Sequence, residues 1–157
     1  MSCCNGQNVS TDEAVPVTNV ENYIEPYLLE LSVKKVSATE FKLVTIIRID
    51  SLSYMMPISN TTMSGIFKTS INDSIFLNST YKLIELGCPV VTNFAWSNAP
   101  QKVIKGYVEY DQKFSLISTT DFMTSGVIQF VIEPRCTLEK ILFTISHLNG
   151  EMKVSLD

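Results

Sequence analysis

A single histidine, His147, stands in this chain of 157 residues, and it limits the chemistry the side chains can offer. Acyl or phosphoryl transfer calls for an activated nucleophile, a base and a group that stabilises developing negative charge. Any Ser-His-Asp or Cys-His arrangement must therefore run through that one imidazole, and a His-rich metal site is out of reach. No G-x-S-x-G elbow, P-loop or G-x-G-x-x-G turn occurs. His147 falls on the apolar face of an expected C-terminal hairpin, where it reads as a rim residue of the core and not as a base. No catalytic residue is assigned.

Paired carboxylates need no histidine, because glycoside hydrolysis requires only two acids at a suitable separation. Glu109 and Asp111 flank Tyr110, and Asp121 follows in a polar stretch. They are expected to be solvated strand-end charges. Oxygen ligands also suit Ca²⁺, but the spacing has no Ca²⁺-loop pattern. A different chemistry is open to the aromatic residues. Phe94, Trp96, Tyr107 and Tyr110 fall on what read as neighbouring strands, and exposed rings in a row stack against sugar faces. Trp96, Tyr107 and Tyr110 are the candidate ligand-binding residues. A competing expectation is that the lone Trp of a β-sandwich belongs to the core.

The four cysteines are too few for a disulfide framework. Cys3 and Cys4 are adjacent in a polar tail and suit soft-metal ligation or acylation. No second Cys or His pair lies nearby to complete a tetrahedral site, so neither a metal nor a cofactor is expected. Cys88 and Cys136 are expected to be buried free thiols, packing as small hydrophobes; a bridge between them is the alternative. Asn-x-Ser/Thr sequons occur at Asn8, Asn60, Asn72 and Asn78. With 10 Asn and 31 Ser and Thr in the chain, about two such triplets arise by chance, so they imply no glycosylation.

The elements that must position these groups are strands. Residues 1–22 lack apolar periodicity and are read as an extended N-terminal arm, with Cys3, Cys4, Val15 and Val17 as its candidate interaction residues. Residues 23–157 form one domain in this reading. Tyr27, Leu29, Leu31 and Val33 alternate with Leu28, Glu30 and Ser32, which predicts a strand with one buried face. Phe41 to Ile49 alternates and becomes apolar on both faces in its middle, as a central strand does. The segment Tyr54-Met55-Met56-Pro57 fits an edge strand or a loop under the core. Val90 to Trp96 is read as a strand, Asp111-Gln112 as a turn, and Thr137 to Phe143 as a segment able to begin with a helical turn.

Asn149-Gly150 is the clearest local signal, since a type I′ hairpin turn needs φ > 0 at both central residues. With Leu148 opposite Glu151, Ile145 meets Val154 and Phe143 meets Leu156, while Thr144 meets Ser155 on the other face. A one-residue slip would destroy that matching. The expected fold is all-β: an antiparallel β-sandwich, Ig-like or jelly-roll-like, of 8–10 strands with a C-terminal hairpin.

Hydrophobic residues make up 45% of the chain, which suits a packed core, and charged residues only 18%. A net charge of −4 with scattered Lys and Arg argues against nucleic acid as a partner. No secretory signal is visible and no apolar run reaches the roughly 20 residues of a membrane span. The favoured function is a non-enzymatic structural or assembly module that packs against other protein subunits in a homo- or hetero-oligomer, as in a virus or phage particle or a surface appendage. The alternative is a carbohydrate- or small-ligand-binding module, and a two-acid hydrolase comes third.

Overall fold

A computed structural model describes residues 25–60, 65–72, 75–79 and 81–157. The expected arm, with Cys3, Cys4, Val15 and Val17, lies outside the described residues. Eleven strands follow one another, with no helix among the described residues: β1 (Tyr27–Lys35), β2 (Glu40–Ile49), β3 (Lys68–Ile71), β4 (Leu77–Asn78), β5 (Ile84–Gly87), β6 (Val90–Thr92), β7 (Gln101–Val103), β8 (Tyr107–Leu116), β9 (Phe122–Ile132), β10 (Thr137–Leu148) and β11 (Glu151–Leu156). The fold is all-β and sandwich-like. Three of the strands have two or three residues, too short for an alternating pattern to mark, so eleven are found where 8–10 were expected.

One sheet runs β1-β2-β8, with β4 and β5 sharing the far edge of β8; the second runs β11-β10-β9-β3; β6 and β7 make a separate ribbon. All pairings are antiparallel. Period-2 alternation decides which side chains go inside. On β2 the odd residues Phe41, Leu43, Ile47 and Ile49 face inward, and on β8 the even residues Val108, Tyr110 and Phe114 do so. The register places Phe41 beside Phe114 and Ile47 beside Val108. From the second sheet, Phe122, Ile128, Phe130 and Ile132 of β9 and Phe143 and Ile145 of β10 complete the same buried cluster.

The C-terminal hairpin has the expected register, from Leu148–Glu151 through Ile145–Val154 to Phe143–Leu156. Asn149 and Gly150 both take positive φ, 52° and 80°. β2 is the expected central strand, with Val44 as well as Leu43 buried. Residues 53–57 resolve as a loop under the core: Tyr54 bridges to Glu133 and Met55 to Ile104, and Ser53 to Met56 are all buried.

Two expectations are corrected. Asp111 and Gln112 do not turn but lie in the middle of β8. Gln112 stays in the strand because its amide fills the gap between β4 and β5, donating to the carbonyls of Ser79 and Tyr81. Thr137 to Phe143 starts no helix; it pairs with Ile132 to Gly126 along β9, so tertiary pairing overrides a weak cap signal.

Gly126 of β9 has no room for a side chain between its neighbours β10 and β3 in the same sheet. A Cβ there would run into the end of the Phe143 ring and lie 2.7 Å from the Ser70 carbonyl oxygen. Gly126→Ala is therefore expected to cost about 1–3 kcal/mol by overpacking, read as a lower urea midpoint. Trimming the ring as well, in Gly126→Ala with Phe143→Leu, should cost less than the sum of the single changes; strict additivity would show that the two sites do not collide.

Candidate functional site

His147 is 4% exposed and its ring lies against Phe122, with centroids 5.6 Å apart. Its Nδ1 is 3.1 Å from the Thr120 carbonyl oxygen. The register sets it opposite Met152, as expected. A buried imidazole held by ring packing and a backbone carbonyl is a structural member of the core.

Glu109 and Asp111 share the outer face of β8, and Asp121 lies apart from them at the hairpin turn. Asp111 is 6% exposed, so it is no solvated strand-end charge. It lies on the outer face of its sheet, where Lys42 donates to its Oδ2 at 2.7 Å. Glu109 accepts from the Tyr107 hydroxyl at 3.2 Å. Asp121 accepts the Asn149 backbone N–H at the hairpin turn. A fourth acid came unannounced: Glu85 is half-buried and accepts the Ile58 N–H at 3.1 Å, and burial pushes its carboxyl up.

The three candidate rings go to three different surroundings. Tyr110 is buried, stacked flat on Phe67 with centroids 3.7 Å apart. Its parity on β8 points it between the sheets, so it belongs to no exposed row. Burial, and next to it the Glu85 carboxylate, drive its hydroxyl pKa strongly up. Tyr107 is exposed on the outer face of β8, under the Arg48 guanidinium at 5.4 Å. Burial first, then its bond to Glu109, raises its pKa. Trp96 is 61% exposed, against the expectation of a core tryptophan. The physical reason is that β6 ends at Thr92, so the alternation of residues 90–96 runs out into a loop.

Trp96 nevertheless stands on a built support. Its ring stacks on Phe94 at 5.1 Å, and Phe94 stacks on Tyr54 at 5.0 Å. Tyr54, Met56 and Val103 form a small buried cluster of their own against which Phe94 packs. The loop is pinned by Gln101, whose side-chain amide donates to Ser97 Oγ at 2.9 Å, and by Ser97, whose hydroxyl donates to the Ala99 carbonyl at 2.7 Å.

Across from Trp96 lies the corner between β9 and β10. The Glu133–Pro134 peptide is cis, and Cys136 takes a positive φ of 55° before β10 begins. Tyr54 and Glu133 exchange two backbone hydrogen bonds, 3.0 and 2.9 Å, which fix this corner against the loop under the core. Together Tyr54, Met56, Trp96, Glu133, Pro134 and Cys136 line an open cleft of about 370 Å³. The Cys136 thiol donates to Glu133 Oε2 at 2.9 Å, and that bond, with the carboxylate charge, pushes the thiol pKa up. Tyr54 is raised mainly by burial and then by Glu133.

Cys136 is thus exposed at a turn, not buried, and Cys88 is half-buried; the two are not bridged to each other. Among the described residues no group of His, Cys, Asp and Glu is arranged to hold a metal ion. In the sequence Glu133 only follows the β-branched run Val127 to Ile132, ahead of Pro134, and carries no signal of its own. The unbroken apolar stretch Tyr54-Met55-Met56 was the signal for the floor of the cleft.

The fold and the cleft define an all-β, sandwich-like domain with an aromatic and acidic surface site. No protein-family model, curated protein or solved structure matches the chain.

Two outcomes follow from these contacts. Lys42→Met leaves the Asp111 carboxylate buried without its cation and should destabilise the protein by roughly 3 kcal/mol; adding Asp111→Asn should recover part of that in urea unfolding. At mildly alkaline pH, Glu133→Gln should speed alkylation of Cys136 by roughly two- to threefold, because removing the charged acceptor lowers the thiol pKa and raises the thiolate fraction. Peptide mapping after a timed iodoacetamide pulse reads the rate at Cys136 separately from Cys88.

Proposed function

We propose that the chain is a non-enzymatic assembly module, a sandwich-like domain that packs against other protein subunits. One observation supports this reading above the rest. The outward face of the β9–β10 pair presents Met123, Leu138, Leu142 and Leu148, each between 47% and 67% exposed. Parity makes this a shared face: Leu138 pairs with Val131 and Leu142 with Val127, both half-buried on the same side. The polar pairs Lys140–Gln129 and Thr144–Ser125 alternate with them on the same face, and large exposed apolar side chains interleaved with polar ones are the mixture that a subunit interface uses.

The chemistry-bearing side chains lend further support, since each has a structural partner: His147 with Phe122, Asp111 with Lys42, and Asp121 with the hairpin turn. The low proportion of charged residues, 18%, suits a surface that lies against other proteins. A particle or appendage built from repeated subunits is the setting that fits such a module, with copies of this chain or companion chains as partners.

Native mass spectrometry and sedimentation across a micromolar-to-millimolar range test this. The expected result is an oligomer that Leu138→Lys and Leu142→Lys each shift toward monomer while the thermal transition stays cooperative. A monomeric mass over the whole range, unchanged by either substitution, would overturn the reading.

A further inference from the structure

The cleft beside Trp96 combines two features that the assembly reading does not use. The first is an indole, the only tryptophan of the chain, held largely in the open by the Phe94–Tyr54 stack. The second is the Glu133 carboxylate. Among the described residues no Lys or Arg pairs with it; its one side-chain partner is the weakly donating Cys136 thiol. Among the described residues no Lys or Arg lines the cleft; Arg135, which falls between the lining residues Pro134 and Cys136 in the chain, is exposed and outside that lining.

We propose that this cleft binds an organic ammonium cation, with the positive centre between the Trp96 ring and the Glu133 carboxylate. The rest of the lining selects among cations. Met56 and Pro134 give apolar walls without side-chain hydrogen-bond donors. A sugar needs several donors and acceptors around its ring to be held in one orientation. An alkylated ammonium needs none: it carries an apolar skirt that packs on Met56 and Pro134, and a charge drawn to the indole face and the carboxylate. A small hydrated metal ion gains little from either the ring or the walls. The chain's net charge of −4 adds attraction of the same sign. The ammonium group has two sources with the same chemistry, a free quaternary amine or a lysine side chain, methylated or not, on a partner protein.

The lone tryptophan makes the test direct. The full-length protein is titrated with choline, with a short peptide carrying trimethyl-lysine, with its unmethylated counterpart, and with 3,3-dimethyl-1-butanol, the neutral isostere of choline. Trp96 fluorescence is the readout. Saturable binding of one or more of the cations, and not of the neutral isostere, is the expected result. A peptide favoured over choline points to a protein partner, and the reverse points to the free amine. Glu133→Gln should weaken binding roughly tenfold, and Glu133→Asp, which keeps the charge, should retain most of it. Trp96 is the reporter, so Trp96→Ala is followed by calorimetry and should also lose roughly tenfold. Equal response to choline and its neutral isostere, or unchanged affinity in Glu133→Gln, would overturn the proposal. A response to methyl glycosides but to none of the cations would do the same and give the cleft to carbohydrate.

Discussion

A continuous chain of rings ties the two sheets of this domain together, and the remaining packing is arranged around it. Tyr110 of β8 lies flat on Phe67, Phe67 stacks on Phe130 of β9 at 6.3 Å, and Phe130 makes a T-shaped contact with Tyr27 of β1 at 5.0 Å. The path leaves the first sheet, crosses the second and returns to the first. Each such contact adds about 0.5–1.5 kcal/mol beyond the area it buries, and no disulfide joins Cys88 to Cys136 in support. Tyr27 fastens the rim as well, donating its hydroxyl to Glu139 of β10 at 3.2 Å. Its pKa is raised to about 12, first by burial and then by that carboxylate.

The ring chain requires β8 to keep its alternation without a break, and this explains the polar residues buried along it. Tyr110 and Phe114 must both point inward. Asp111 and Gln112 between them are therefore held in an extended strand whatever their own preferences. Each has a specific partner there: Lys42 on the outer face for Asp111, and the carbonyls of Ser79 and Tyr81 for Gln112. Buried polar groups of this kind are costly unless bonded, and the bonds come from residues remote in sequence.

That remoteness separates what the residues announce from what they conceal. The hairpin at Asn149-Gly150 could be read residue for residue because turn type, register and burial all follow from neighbours a few positions apart. β1 and β2 were readable for the same reason, through alternation alone. Asp111-Gln112 resembled a turn because the partners that keep it extended lie some 30 and 70 residues away. Trp96 misled in the opposite direction: period-2 alternation from Val90 suggested a strand, but strand pairing stops at Thr92 opposite Gln101. The cleft was the least legible part. Its walls come from the loop under the core, the β6–β7 connection and the β9–β10 corner, and no spacing within any one of these segments points to the others.

The cluster of Tyr54, Met56 and Val103 is separate from the main core, and this division has an evolutionary consequence. The β6–β7 ribbon belongs to neither large sheet, so residues 93–100 take no part in the ring chain that joins the layers. Substitutions in that loop can alter the shape and charge of the surface around Trp96 while leaving the free energy of the two-layer core almost untouched. The composition of that loop and the packing between the layers are thereby nearly independent, and change in one need not be compensated in the other.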